Sequence, residues 1–500
     1  MMITSGWSLD LPGARRRLGA LLAIGVLGSA LLTPGTALAA AYDPASDMNS
    51  MLNTTAYTGA QAWWSAGFTG AGVDVAVIDT GVSPVPGLDG AGKLVYGPDL
   101  SLESQNPDFR NLDTNGHGTF MAGLIAGNSA DYKGIAPGAR IVSVKVGVAD
   151  GGVDVSQVIA AIDWVVQHRS DNDLNIRVIN LAYGTNSAQA YDVDPLAFAV
   201  EQAWKKGIVV VAAAGNDGFV RHTGTITNPA LDPMILAVGA TDSMGTSVMA
   251  DDTNPSFSAS GSPGVRLPDL SAPGTHMQGL RVVNSFIDAN YPGGVIDGRF
   301  FRGSGTSESA AIVSGAAALI IQQRPSITPD QLKSLLRNTA FALPYGSKFS
   351  MGTGEMNLAA VLATPTPTRA LKQAPGTGTG SLEQARGTDH LTRDGVVLSG
   401  EIDIFGHSFD SAAMASAEAA GSSWSGGTWN GNTWSGNTWS GNTWSGNTWS
   451  GNSWSGNTWS GNTWSGNTWS GNTWSGNTWS GNSWSGNTWS GNTWSSGSWS

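Results

Sequence analysis

The chain has 500 residues, no cysteine and a formal net charge of −12. This length exceeds what one ordinary hydrophobic core fills, so we expect more than one region. The acidic charge argues against nucleic acid or an anionic membrane as the main partner, because both are bound by clustered Lys and Arg. The absence of cysteine excludes disulfides and thiolate-bound metals.

The first 40 residues have the pattern of an export signal peptide. Three arginines at positions 15–17 precede an apolar stretch at 18–32, and the small residues of a cleavage site follow at 37–39. Its removal takes three of 25 basic and one of 37 acidic residues, which leaves 22 minus 36, a charge of −14. The alternative, a membrane-spanning helix, needs about 20 apolar residues, and this stretch is shorter and interrupted by glycine. We therefore predict a secreted protein without a transmembrane anchor.

From about residue 73 to residue 362, β-branched apolar runs alternate with helix-like segments. This alternation is typical of a parallel sheet with helices on both faces, an α/β fold. Strands are predicted at 73–78, 141–146, 176–181, 208–213 and 235–238. Helices are predicted at 155–167 and 196–206 from the spacing of their apolar residues, and at 330–338 from the capping residues before them.

Four polar residues stand where catalytic groups collect in such a sheet, at strand ends and helix starts. Asp79 follows the first strand, His117 lies between two glycines before a helix-like segment, Asn216 follows the strand at 208–213, and Ser307 begins an Ala-rich segment. A serine that hydrolyses peptides requires a base, a carboxylate that orients the base, and donors for the oxyanion. Each residue alone has an ordinary explanation as a turn or helix-capping residue. The combination, at separations of 38, 99 and 91 residues, is specific.

The order Asp, His, Asn, Ser resembles the subtilisin-like serine proteases, the subtilases, over roughly residues 57–362. The resemblance implies a mostly parallel seven-stranded domain with endopeptidase activity on proteins or peptides. It implies that Ser307 is the nucleophile, His117 the base, Asp79 the carboxylate that orients the base, and Asn216 the oxyanion donor. It also implies that catalysis requires no cofactor.

The same resemblance indicates the substrate groove. The segment 179–184 looks like the family's strand that pairs with the substrate backbone, and 213–215 looks like the other wall of the primary specificity pocket. The two small alanines of that wall leave room for a sizeable apolar side chain. The candidate substrate-binding residues are Ala182, Tyr183, Gly184, Ala213, Ala214 and Gly215.

Two residues beside the catalytic groups depart from the family's usual pattern. Glu308 stands where the family often has Met, and Phe120 stands where many relatives carry His. The sequence leaves open whether Glu308 tunes the base or faces away from it. Calcium commonly stabilises subtilases, and the loop at 108–115 holds candidate oxygen ligands for a structural calcium ion, but it has no calcium-binding motif. We assign no metal-binding residue, and a structural calcium ion in this loop stays an open alternative.

The C-terminal part differs in composition from the rest. Residues 365–423 are rich in Pro, Gly, Thr and Ser and are predicted to be a linker, with a candidate short β element at 395–409. From residue 424 a tryptophan recurs every five residues, sixteen in all. A helix would spread these side chains around its axis, and a strand would alternate their faces. We interpret residues 424–500 as a flexible tail; the alternatives are a four-sided β-solenoid, as in pentapeptide-repeat proteins, and a multivalent surface for cell-wall or polysaccharide polymers.

The predicted organisation is thus a signal peptide at 1–40, a subtilisin-like peptidase domain at 41–364, a linker at 365–423 and the tryptophan repeat at 424–500. The predicted function is that of a secreted serine endopeptidase, extracellular or attached to the cell surface through the repeat. The rival hypothesis is a surface-binding protein whose α/β domain is catalytically silent. The sequence contains neither the H-E-x-x-H zinc pair nor the G-x-S-x-G elbow of other hydrolases.

Overall fold

The computed structural model describes residues 42–433, apart from positions 105, 219–223, 263, 265, 369–372, 394–395 and 426. It also describes the backbone of a series of short strands between residues 444 and 499. The signal-peptide prediction falls outside the described residues.

A seven-stranded sheet forms the centre of the domain. Its strands are β1 (Asp74–Asp79), β2 (Leu94–Asp99), β3 (Arg140–Lys145), β4 (Ile176–Leu181), β5 (Val209–Ala213), β6 (Leu236–Thr241) and β7 (Leu270–Pro273). They lie in the order β2-β3-β1-β4-β5-β6-β7, and every neighbouring pair is parallel. All five predicted strands are present. The two that sequence patterning missed lie at the sheet edges: β2 contains a Gly-Pro pair, and β7 has only four residues.

Helices cover the sheet. They are α1 (Met51–Tyr57), α2 (Ala60–Ser65), α3 (His117–Ala126), α4 (Val155–His168), α5 (Pro195–Lys205), α6 (Phe286–Asn290), α7 (Thr306–Gln323), α8 (Pro329–Thr339) and α9 (Leu358–Ala363). Helices α3 and α7 pack together on one face of the sheet, and α4 and α5 pack together on the other. When helices cover a parallel sheet on both faces, neither face of its strands is exposed to solvent. Accordingly, β1, β5 and β6 are buried along their whole length. An antiparallel pair, β8 (Met277–Leu280) and β9 (Phe300–Gly303), leads into α7.

The segment predicted as a linker is packed against the domain over much of its length. It forms two helices, α10 (Leu382–Arg386) and α11 (Ser411–Ala420), and a small hairpin of β10 (Thr392–Arg393) and β11 (Val396–Val397). The Arg386 guanidinium lies 2.6 Å from the Asp154 carboxylate at the start of α4, and neither side chain is exposed to solvent. The linker prediction failed here because these contacts join residues more than 200 positions apart and leave no local periodicity.

The first two repeats of the tail also belong to the folded part. Three short antiparallel strands, β12 (Trp424–Ser425), β13 (Thr428–Trp429) and β14 (Asn432–Thr433), carry Trp424 and Trp429, which are both buried. Each indole N–H donates a hydrogen bond to α4: Trp424 to the Ala160 carbonyl at 2.9 Å and Trp429 to the Asp163 carboxylate at 2.8 Å. The expectation of a flexible tail from residue 424 therefore does not hold for these two repeats, because their rings have a tertiary partner.

Later repeats contribute strands of two or three residues that pair in parallel with the strand twenty residues further on. Thr448–Ser450, for example, pairs with Thr468–Ser470. Twenty residues correspond to four repeats, which is the register of the four-sided solenoid considered above. The interpretation of residues 434–500 stays a prediction, since their side chains lie outside the described part of the chain. Within that part, we find no helix with the length and apolar character to cross a bilayer.

Candidate active site

Asp79 and His117 are joined by a short hydrogen bond at the carboxyl end of β1. The Nδ1 atom of His117 lies 2.8 Å from Oδ1 and 3.0 Å from Oδ2 of Asp79, and the Thr80 backbone N–H donates to the same Oδ1 at 2.7 Å. The start of α3 reaches this strand end because Gly118 has no side chain: a Cβ atom there would meet the Gly81 carbonyl. With Nδ1 held by the carboxylate, Nε2 of the imidazole is free to act as the base.

A second buried carboxylate, Asp113, holds the loop before α3. One of its oxygens accepts hydrogen bonds from the Thr80 hydroxyl at 2.8 Å and the Gly116 N–H at 2.7 Å, and the other accepts from the Thr119 N–H at 2.7 Å. Sequence reasoning placed Asp113 only among candidate calcium ligands. Its oxygens are instead used to fix the turn that carries His117, and the described residues include no group of three or more acidic or histidine side chains suited to a metal.

Asn216 and Ser307 are brought together through Thr306. The Oδ1 atom of Asn216 accepts hydrogen bonds from the N–H of Thr306 at 2.9 Å and from its hydroxyl at 3.1 Å. The Thr306 hydroxyl lies 3.1 Å from the Gly215 nitrogen, which ties the end of β5 to the start of α7. Because Oδ1 is engaged, the Nδ2 donor of Asn216 is the part of the amide left to face an oxyanion. Ser307, 9% exposed, follows Thr306 in the first turn of α7, where backbone N–H groups lack helical partners.

The charge on His117 depends on three carboxylates. Burial is the largest single influence and lowers the pKa of its imidazole, but Asp79, Glu308 and Asp113 together outweigh it, so that the pKa rises to about 9. The imidazolium that forms when a base takes the serine proton is thereby stabilised. The same effect means that more alkaline conditions are needed before the base is free.

The predicted substrate residues lie at the ends of two neighbouring strands. Residues 182–184 follow β4, and residues 213–215 end or follow β5, which pairs with β4 in parallel. Both segments therefore leave the sheet at the same edge, beside Asn216. Tyr183 is half-buried, and the Asp389 carboxylate of the C-terminal segment is among the charges that raise the pKa of its hydroxyl, after burial and Asp154. The role of these residues in binding stays a prediction.

Comparison with known proteins identifies the family. Residues 70–374 match the sequence profile of the subtilase family, Peptidase_S8. The chain belongs to the subtilase family.

Its relatives include subtilases of bacteria. The chain is 40% identical to the serine protease AprX of Bacillus subtilis over 280 residues, which cover 54% of this chain and 61% of AprX. It is 36% identical to subtilisin Savinase of Lederbergia lenta over 300 residues, which cover 60% of this chain and 93% of that protein. The subtilase is thus a serine-type endopeptidase by family. Its segment from 375 to 433, which packs on α4 and α5, lies outside the region that matches the family profile.

Proposed function

We propose that this subtilase hydrolyses peptide bonds through Ser307, His117, Asp79 and Asn216. The observation that carries the proposal is the pair of hydrogen-bonded units at one edge of the sheet: Asp79 with His117, and Asn216 with the residue before Ser307. Both units stand at the carboxyl ends of parallel strands, β1 and β5 with β4 between them, or at the helix starts that face them.

In this mechanism the Ser307 hydroxyl attacks the peptide carbonyl while His117 takes its proton. Asp79 keeps the imidazole in the tautomer that presents Nε2, and it stabilises the imidazolium. The negative carbonyl oxygen is met by the Nδ2 donor of Asn216 and by a backbone N–H at the start of α7. His117 then protonates the leaving amine, which departs and leaves an acyl-enzyme on Ser307. A water molecule that gives its proton to His117 attacks this ester, and the acid product and the Ser307 hydroxyl are released. Every step uses side chains and a backbone N–H of this chain together with water, and no cofactor.

The test compares wild type with Ser307→Ala. We expect wild type to hydrolyse an unstructured protein such as casein and to be labelled by an organophosphorus serine reagent, and we expect both properties to vanish in the variant. Circular dichroism of the variant controls for folding. A folded wild type that shows neither activity nor labelling would refute the proposal and favour the rival, a catalytically silent domain that serves a binding repeat.

We further propose that the protein is secreted after removal of residues 1–40. The support is the sequence pattern of that segment, three arginines followed by an apolar stretch and small residues. The N-terminal sequence of the protein recovered from culture medium tests the proposal. A start near residue 41 is expected, and retention of the apolar stretch in the cell-associated protein would contradict it.

For the tryptophan repeat we propose attachment to a cell surface or to an insoluble polymer. Aromatic rings at a fixed pitch, flanked by amide and hydroxyl groups, suit multivalent contact with sugars. The truncation that tests this must end after Thr433, because that residue closes the last strand of the folded unit, and a chain cut near residue 365 would lose the buried Arg386, Trp424 and Trp429. The truncated enzyme is expected to keep its peptidase activity and to lose retention on cell walls, cellulose or chitin. Equal retention of both forms would refute the role in attachment.

A further inference from the structure

Glu308 is a buried carboxyl group next to the nucleophile. It follows Ser307 in the first turn of α7 and is 1% exposed. A helix N-terminus favours a negative side chain, but burial away from water opposes its charge. A residue of this kind beside a catalytic serine requires a physical explanation, and the sequence alone did not show which way it points.

The carboxyl group points into the catalytic region and does not face solvent. A Cβ atom placed on Gly305 would lie 2.7 Å from Oε2 of Glu308 and 3.4 Å from Nδ2 of Asn216, so the carboxyl shares a small space with the oxyanion donor. Its other oxygen, Oε1, is buried and has no hydrogen-bond partner among the described residues. A buried acceptor without a hydrogen-bond partner costs free energy, so packing alone does not explain why the Glu308 carboxyl points this way.

Several charged groups surround His117, and Glu308 is the one supplied by α7. Asp79 faces the imidazole from β1, and Asp113 faces it from the loop before α3. Arg281 and Asp288, which pair with each other at 2.6 Å, line the small pocket beside the ring. Arg281 is thus largely neutralised by its partner, and among the described residues the uncompensated charges near the base are carboxylates.

Burial raises the pKa of Glu308 to about 7, while His117 acts in the opposite direction and Asp79 adds to the rise. The Glu308 carboxyl therefore loses its proton before the imidazolium does. Once ionised, it stabilises the positive imidazolium, so a higher pH is needed to free the base.

We propose that Glu308 is a positioning residue of the peptidase, which acts on His117 through its carboxylate and thereby sets the lower pH limit of activity. The inference rests on the proposed function, in which His117 is the base. It assigns Glu308 a role that the apolar Met common at this position in the family does not supply.

The experiment measures kcat/KM against pH for wild type, Glu308→Gln and Glu308→Met, with Glu308→Asp as the matched control that keeps the charge. Both neutral variants are expected to shift the acidic limb of the profile to lower pH by on the order of one unit, the effect of one nearby charge at intermediate dielectric. Between about pH 7, above which Glu308 is ionised in wild type, and the limb, this corresponds to as much as about tenfold higher activity relative to each enzyme's maximum. Below about pH 7, where Glu308 is protonated in wild type, the difference is expected to disappear. The Asp variant is expected to stay near wild type.

Titration of the His117 imidazole by NMR in the Ser307→Ala background, with and without Glu308→Gln, gives the same answer without requiring turnover. Acidic limbs and imidazole titrations that coincide in wild type and the Gln variant would overturn the inference, even if the variant is less active or less stable. Organophosphorus labelling of wild type separates the two proposals. An unlabelled wild type refutes the proposed function. A labelled wild type whose acidic limb coincides with that of the neutral Glu308 variants refutes only the role of Glu308.

Discussion

Replacement of Arg386 by Met tests whether the C-terminal segment is part of the folded domain. The variant leaves the Asp154 carboxylate buried without its cation, a change that costs about 3–5 kcal/mol of unfolding free energy in typical buried pairs. Asp154 keeps its hydrogen bond from the Ser156 N–H at 2.9 Å, so we expect the lower part of this range, about 3–4 kcal/mol. At an unfolding entropy of roughly 2.1 cal/mol/K per residue, a folded unit of about 390 residues loses about 1.2 °C per kcal/mol, and the expected fall in Tm is about 4–5 °C.

Scanning calorimetry in the Ser307→Ala background measures this change without self-digestion of unfolded chains. Arg299→Met is the matched control, because Arg299 pairs with Asp131 at the surface, where the side chains are 34% and 52% exposed. Such exposed pairs contribute less than about 1 kcal/mol. Combining Arg386→Met with Asp154→Asn should restore part of the stability, since no charge stays buried and Asn still caps a helix. If Arg386→Met melts at the same temperature as Arg299→Met, the reasoning is refuted.

Three further predictions concern the site and the docked repeats. Asn216→Ala should lower kcat by about 10²- to 10³-fold with little change in KM, the size of loss found when this type of donor is removed from subtilisin; unchanged turnover of a peptide substrate would contradict its role. Trp429→Phe should destabilise the Ser307→Ala protein by about 1–3 kcal/mol in calorimetry, because an aromatic ring is retained, but it is smaller than the indole and cannot donate to the Asp163 carboxylate; an unchanged melting temperature would show that this hydrogen bond is unimportant. Burial, followed by repulsion from Asp163, raises the pKa of Glu418 well above its ordinary value. Burial also raises the pKa of Asp163, to about 7. The folded state then holds protons that the unfolded state releases, so stability falls as pH rises from about 4 through 7. Glu418→Gln should reduce that fall, and identical pH dependence of Tm in both proteins would count against it.

The four candidate catalytic residues could be singled out in the sequence because each stands in a local pattern. Asp79 follows a continuous apolar strand, and His117 lies between glycines at the start of a small, buried helix. The capping box at Thr328 and Gln331 fixed the start of α8 in the same way, since both hydrogen bonds join residues three positions apart. Asp113 gave no such signal. Asp113 accepts hydrogen bonds that hold the turn before His117. The loop contains several other acceptor side chains, and the sequence alone did not show which of them would take this place.

The sequence by itself determined the α/β class, the five inner strands of the sheet and the four candidate catalytic residues, because apolar periodicity and short motifs are local properties of the chain. Tertiary structure alone decided that the Glu308 carboxyl turns inward beside Asn216, and that Arg386, Trp424 and Trp429 dock on α4. These outcomes depend on contacts between residues that are distant along the chain. A composition rich in Pro, Gly and Ser predicts a linker correctly only where no such partner exists, and here α4 supplies buried carboxylates and a backbone carbonyl that bind the segment.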